Sequence, residues 1–406
     1  MTFEQVFSLT MSGLTVGMIY ALIALGYTMV YGVLEFINFA HGEIFTIGGY
    51  LAASTLIWFG VDDSTPVGAK VGYFVAALTL SIVLTSFLGW LVERVAYRPL
   101  RGRSRIIPLL SAIGVSIFLQ NLIIIVYGPN PIIMPTSVVP TGFIEVLGTR
   151  IRILQIIIIL VSVVLMGVLT YLVKSTRIGK AMRATSQDME AAEMMGIDTN
   201  RTIAFTFVVG SALAAIGGFL VAMYYGSLQF DTGFLYGLKA FTAAVLGGIG
   251  NIPGAVVGSL ILGIAENWGV GAKLGLLAWV ALAGLALGLY VQFVVAPGRR
   301  LDHVDDEVRT DEYVSTLKRI YRIAPMYALK TVLGERKDAL LDVSARHALR
   351  LTAGNLFLVA LTAVFFLNGD AQFASKWQHA ISFSVLMVIL SFRPSGILGE
   401  HIQEKV

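Results

Sequence analysis

Lys174–Arg201, KSTRIGKAMRATSQDMEAAEMMGIDTNR, is the most polar stretch between two long apolar runs of the chain. Its reading decides the fold, because a basic loop held between two membrane-length segments fixes the side of a bilayer on which each of them ends. Thr185 followed by Asp188 has the spacing of a capping box, and Gly196 followed by Ile197 is a helix stop with an apolar residue behind it. These signals predict a helix of about three turns from Ser186 to Met195. Met189, Ala192, Met195 and Gly196 fall on one face of it, with Gln187 and Glu190 opposite. A helix this short does not hold in water alone, so it requires either the membrane surface, as a plain connector, or a partner groove.

Composition places the loop in its class. With 56% apolar and 13% charged residues and a mean hydropathy of +0.80, the chain reads as an all-α polytopic membrane protein, and a soluble fold is excluded. No Lys or Arg precedes Lys70, so the first apolar run lacks the basic region of a cleavable signal peptide and is expected to remain as a span. The absence of cysteine removes disulfides and thiolate metal sites. The net charge of +4 sits beside spans rather than in one patch, which speaks to topology and not to nucleic acid.

Spans are expected at about Phe7–Leu34, Asn38–Phe59, Val71–Val92, Ile106–Tyr127, Ile153–Val173 and Thr202–Tyr225. Arg94, Arg98, Arg101, Arg103 and Arg105 follow the third and give the strongest positive-inside signal, which puts the N-terminus outside. Parity across two further spans then puts Lys174–Arg201 in the cytoplasm, where its own basic residues independently place it. The Pro-rich segment Gly128–Arg152 is expected on the external face. Next comes KAFTAAVLGGIGNIPGAVVGSLILGIAENW, interrupted at Gly247, Gly248, Gly250 and Pro253. Counted as about 10 residues before the break and about 14 after it, neither half comfortably crosses a ~30 Å core. A broken or re-entrant hairpin is expected, either as a wall of a translocation path or, through Gly250, Gly254 and Gly258, as a helix-contact face.

Beyond the hairpin, spans are expected at about Leu274–Pro297, Leu351–Leu367 and Ile381–Phe392, nine apolar segments in all, of which about eight count as full transmembrane helices. The resulting organisation is a permease core over 1–298, a charged cytoplasmic helical insert over 299–350, and C-terminal helices with a cytoplasmic tail over 351–406. One internal echo is present: YG-x-L-x-F at Tyr31–Phe36 recurs at Tyr225–Phe230. The first end faces inward and the second outward by charge count, as in an inverted-topology repeat.

The chain carries no G-x-x-x-x-G-K-[ST], no H-E-x-x-H and no G-x-S-x-G, so ATP binding by a P-loop and an intramembrane hydrolase are both unsupported. No catalytic residue, metal or cofactor is expected. Glu35, His41 and Glu43 could form a proton relay, or could simply sit at a membrane boundary where charges cost little. Ser111, Ser116, Gln120 and Asn121 read as helix-gluing polar groups. Lys239 and Glu266 read as charges near external ends that reach water along their stems.

Six ordered stretches, YALIALGYTMVYG (20–32), INFAHGE (37–43), ERVAYRP (93–99), SAIGVSIFLQN (111–121), KAFTAAVLGGIG (239–250) and PSGILG (394–399), closely resemble the LivH-type permease subunits of branched-chain amino acid ABC importers. The resemblance covers about Met1–Glu266 and resumes near Lys376. It implies an inner-membrane half-transporter working with a second related permease, two cytoplasmic ABC ATPases and an extracytoplasmic amino-acid-binding protein. Glu190, Ala191, Ala192 and Gly196 look like the opening of the coupling motif that meets the ATPases. Asn38, His41 and Glu43, with Gly247, Gly248, Gly250, Asn251 and Pro253, are candidates for the translocation path. The alternatives are a permease of the same family for urea, an amide or another small polar solute, and a proton-coupled secondary carrier. The region from about Asn267 to Ser375 departs from the family pattern and is expected to be a regulatory or assembly insert.

Overall fold

A computed structural model describes residues 3–271, apart from 35, 102, 105 and 147, together with 384, 386 and 387. Its elements in chain order are α1 (Phe3–Leu34), α2 (Ala40–Trp58), α3 (Val67–Val92), α4 (Ile106–Tyr127), β1 (Ile132–Ile133), β2 (Phe143–Val146), β3 (Thr149–Arg152), α5 (Ile153–Ser175), α6 (Arg177–Gln187), α7 (Met189–Met194), α8 (Thr199–Tyr225), β4 (Ser227–Leu228), α9 (Thr232–Gly247) and α10 (Ile252–Gly271). The chain divides into two compact units, Met1–Gly269 with Ser375–Val406 and Val270–Ala374, and the described helices build the first.

Among the described residues five helices, α1, α3, α4, α5 and α8, are long and apolar enough to cross a bilayer. The α9–α10 pair passes the same test jointly but is bent by 119°. The protein is thus a polytopic helical membrane protein. The second expected span is a helix, α2, but His41, Glu43 and its glycines make it too polar to count by composition, and most of it is buried by other helices. The span expected at 274–297, the insert at 299–350 and the span at 351–367 lie outside the described residues. So does most of 381–392, where Ser384, Leu386 and Met387 are helical.

The core forms around α8, which packs on α1, α2 and α3. Small residues make this possible, since without side-chain bulk two backbones approach closely and dispersion replaces the hydrophobic drive that lipid cannot supply. Gly49 faces the Gly218 carbonyl, Gly210 faces Gly26, and Gly217 faces Leu22 and Phe45. In contrast α3, α4 and α5 expose Leu80, Phe87, Ile117, Phe118, Leu160 and Val164, surfaces that suit lipid or another apolar chain.

The internal echo has a structural counterpart. Gly263 of α10 lies directly against Gly13 and Gly17 of α1, while Gly89 of α3 lies against Phe207 and Ser211 of α8. The shift that carries Tyr31 onto Tyr225 also carries Gly13 onto Phe207 and Gly17 onto Ser211. Going from Gly26 back to Leu22 along α1 advances from Gly210 to Gly217 along α8, so these two helices run antiparallel. Gly42 meets Gly237 while Thr46 meets Gly233, so α2 and α9 are antiparallel too. The contacts of α1–α3 and α8–α10 therefore repeat with inverted direction.

The Pro-rich segment between α4 and α5 is more ordered than a loop. β2 and β3 form an antiparallel hairpin with Phe143 opposite Arg152 and Val146 opposite Thr149, turning at Gly148 with φ +78°. β1 pairs with β4, and Met134 N donates to the Gly226 carbonyl at 2.9 Å, which ties this segment to the end of α8.

Candidate functional site

Lys174–Arg201 folds differently from the single helix expected. The first helix, α6, starts earlier, with the Thr176 hydroxyl accepting from Gly179 N at 3.1 Å as its cap. Thr185 is not a cap: it lies inside α6, buried, and donates to the Ala181 carbonyl. Asp188 takes that role, its carboxylate accepting from Ala191 N at 2.9 Å to open α7. An Asp three residues after a Thr fits the third position of one helix or the cap of the next, and here the second reading holds. The stop is as expected: Gly196 adopts φ +81°, and Ile197 N bonds back to the Ala192 carbonyl.

Within this loop Ala192 is buried, Ala191 is half-buried, and Glu190 and Gly196 are exposed. Met195, expected on the inward face beside Ala192, is instead 83% exposed, next to Met194 at 82%. α7 ends at Met194, so Met195 lies at its C-cap, beyond the face that Met189 and Ala192 turn to the protein. The loop thus presents two flexible, polarizable side chains on a short capped helix whose other side is seated on the protein.

The segments around the second candidate set meet at two places. Tyr27, Thr28 and Tyr31 of α1, Ile37 of the α1–α2 loop, Phe241 and Ala244 of α9 and Ile249 of the α9–α10 turn line one small cavity of about 10 Å³, room for about one water. Asn38, beside Ile37, is buried and accepts at Oδ1 from the Tyr97 hydroxyl at 2.6 Å, while its Nδ2 has no partner among the described residues. The turn is made by Gly248 and Gly250, at φ +103° and +89°, and by Asn251, whose Oδ1 accepts from Gly254 N at 3.1 Å to cap α10. Pro253 lies exposed in the first turn of α10. Gly254 and Gly258 press on the backbone at Gly247 and Ala243, whereas Gly250, expected on the same helix face, belongs to the turn. The segment is therefore a hinge and a small-residue contact together.

The halves of the hairpin are longer than expected, with 16 residues in α9 and 20 in α10. The cause is the pair Lys239 and Glu266, which do not reach water. Lys239 Nζ lies 3.1 Å from Glu266 Oε1, and Tyr20 OH donates to Glu266 Oε2 at 2.7 Å. Both charges are buried among Tyr20, Tyr236 and their neighbours. As partners inside the bundle they do not end their helices, so α9 starts before Lys239 and α10 continues past Glu266.

His41 and Glu43 are both buried but look in different directions. The His41 ring lies on Gly26 and edge-on to Tyr27 at 5.0 Å, while Glu43 Oε1 accepts from Ser116 of α4 at 3.4 Å. Among the described residues His41 Nε2 and Glu43 Oε2 have no partner, and no hydrogen bond joins His41 to Glu43. Glu35 lies outside the described residues. Asn121, read as a helix-gluing group, bonds instead to the Ile117 carbonyl of its own helix.

One residue that sequence reasoning passed over is central. Glu93 is fully buried at the start of a π-helical turn, Glu93–Tyr97, that prolongs α3. Arg98 grips it with Nε and Nη2 at 3.2 and 2.9 Å, and Arg101 donates to it as well. Burial pulls the Arg101 guanidinium below its ordinary pKa, and the Glu93 carboxylate opposes that shift. The only sequence signal was spacing: Glu93 to Arg98 is i, i+5, the period of a π turn. Among the described residues no group of three His, Cys, Asp or Glu is arranged to hold a metal.

Comparison with known proteins agrees with this architecture. The sequence model of the family described as branched-chain amino acid transport system / permease component matches residues 9–295, running past Glu266, where the motif resemblance stops. The chain is 48% identical over 264 residues to the high-affinity branched-chain amino acid transport system permease protein BraD of Pseudomonas aeruginosa, covering 64% of this chain and 84% of that one. It is 45% identical over 261 residues to LivH of Escherichia coli K12, covering 63% and 83%. A probable LivH of Methanocaldococcus jannaschii is 30% identical over 256 residues, covering 61% and 75%. No solved structure matches. With the family model spanning most of the described bundle, the chain belongs to the permease components of branched-chain amino acid transport systems.

Proposed function

We propose that this chain forms half of the translocation pathway of a binding-protein-dependent ABC importer for branched-chain, hydrophobic amino acids. A second related permease completes the path, two cytoplasmic ATPases drive it, and an extracytoplasmic binding protein delivers the cargo. The observation that carries the reading is the α6–α7 loop: in a chain with no ATP motif of its own, a short capped helix is anchored by Ala192 and turns Met194 and Met195 outward. Glu190, Ala191, Ala192 and Gly196 are the core of this socket. The basic loops set the orientation, with the socket and the C-terminal tail in the cytoplasm and the N-terminus outside.

The path itself is assigned to the small cavity between α1, the α1–α2 loop, α9 and the α9–α10 turn. At about 10 Å³ it does not admit an amino acid, so passage requires the loop around Asn38 and the turn at Gly248–Asn251 to part. The two positive-φ glycines of that turn supply the conformational freedom.

Reconstitution of the chain with two ABC ATPases, a second permease and a binding protein from the same cell tests the reading. Leucine uptake should require ATP and the loaded binding protein and persist when an ionophore collapses the proton gradient. Uptake that stops with the gradient while ATP is present would establish the proton-coupled carrier instead, and a binding protein that holds urea or an amide would reassign the cargo.

A further inference from the structure

A path of side-chain hydrogen bonds, joined by two short backbone steps, connects α7 with the loop between α1 and α2. Glu193, in the last turn of α7, accepts from the Thr199 hydroxyl at the start of α8. The next residue, Asn200, accepts at Oδ1 from Arg101 Nη1 at 2.7 Å. Arg101 binds Glu93 through its other terminal nitrogen, and Glu93 begins the π-helical turn that Tyr97 ends. Tyr97 OH closes the chain on Asn38 at 2.6 Å, one residue from Ile37 in the cavity wall.

The middle of this chain is built to be stiff. Glu93 has no solvent exposure and is held by two arginines. The Tyr97 ring is wedged between Phe36 at 5.2 Å and Phe207 at 5.5 Å, so its hydroxyl cannot swing away from Asn38 without displacing both. A π turn inside a helix costs regular hydrogen bonding and is commonly retained where function needs the altered side-chain register. Here that register lets one turn hold Arg98 and Arg101 at its start and Asn38 at its end.

We propose that Glu93–Tyr97 is a transmission strut: it carries displacement of the α7 socket, through Asn200 and Arg101, to Asn38, the neighbour of Ile37 in the cavity wall. Glu93, Arg101 and Tyr97 are positioning residues that need not touch cargo. The proposal rests on the reading of α6–α7 as the ATPase socket, and it adds a second route beside the direct continuation of the socket into α5 and α8.

The natural absence of cysteine supplies the readout. A single Ile37→Cys in the complete transporter reports cavity opening through its rate of labelling by a small water-soluble thiol reagent, with and without ATP trapped by vanadate. Tyr97→Phe keeps the ring and removes only the hydroxyl, and Asn200→Ala removes the acceptor for Arg101. Both variants should keep the ATPases bound and hydrolysing near the parent rate, lose about tenfold in uptake per ATP, and lose the nucleotide-dependent change in labelling. The double variant should fall no lower than the worse single one, as for two links of one path. Parent-like uptake per ATP and labelling in both variants, with a Met195→Glu variant that releases the ATPases, would overturn the strut and leave the socket standing. A Met195→Glu variant that retains the ATPases and full coupling would overturn the socket and the strut with it.

Discussion

Lys239 of α9 and Glu266 of α10 pair at 3.1 Å across the hairpin, with Tyr20 of α1 bonded to both. Their side chains are 4% and 0% exposed. Two charges removed from water do not stabilise a bundle merely by meeting, since desolvation offsets most of their attraction. What they do is make separation costly: neither helix can leave α1 without stranding a charge.

Lys239→Met should therefore destabilise the complex by about 3–5 kcal/mol, because it removes the Lys239 ammonium from a fully buried carboxylate. The combined Lys239→Met, Glu266→Leu, Tyr20→Phe variant removes the two charges and the hydroxyl they share, and should recover most of that loss. Thermal unfolding of the purified complex measures both. A single variant as stable as the parent would show that the pair is solvated in the membrane.

Gly254 and Gly247 touch backbone to backbone at the bend. Gly254→Leu puts a branched side chain where the Gly247 carbonyl lies, so α9 and α10 must spread. The chain should still insert, since the variant is more apolar than the parent, but the unfolding midpoint should fall and uptake should be lost. Unchanged uptake would separate this bend from the path.

Met195→Glu changes a residue that touches little of its own protein. Insertion and thermal stability of the permease pair should match the parent, while co-purification of the ATPases should drop. Ala192→Glu is the contrasting variant: it buries a charge beneath α7 and should also lower stability, by about 1–3 kcal/mol or more. Equal co-purification in the parent and the Met195→Glu variant would place the docking surface elsewhere.

The long spans were legible in the sequence for a simple reason. Ile106–Tyr127 and Ile153–Ser175 are uninterrupted apolar runs between polar ends, and a bilayer leaves such runs one conformation. What was not legible depends on partners far apart in sequence. Lys239 and Glu266 read as helix ends because each is charged, and only the bend that brings them together makes them interior. Met195 shares the face of Ala192 only in a helix that runs through it, and α7 ends at Met194. Glu93 was not singled out in the sequence, and only Arg98, Arg101 and the π turn give it an interior role. The strands Phe143–Val146 and Thr149–Arg152 are too short to rise above the loop around them.

The inverted repeat makes the last prediction sharp, because equivalent glycines have unequal neighbours. Gly263 faces the backbone of Gly13 and Gly17, which cannot yield without moving α1. Gly89, its counterpart, faces mainly the Ser211 side chain, a group small enough to be trimmed. Gly263→Ala should therefore cost about 1–3 kcal/mol by overpacking, with no single compensating change on α1. Gly89→Ala should cost less and be rescued by Ser211→Gly. Gly167 of α5 meets nothing within 4 Å, so Gly167→Ala should gain the ~0.5–1 kcal/mol that alanine holds over glycine in a helix. Unfolding midpoints of the four variants should rank in that order. A Gly263→Ala variant as stable as Gly167→Ala would mean that α10 does not pack on α1 as its counterpart α3 packs on α8.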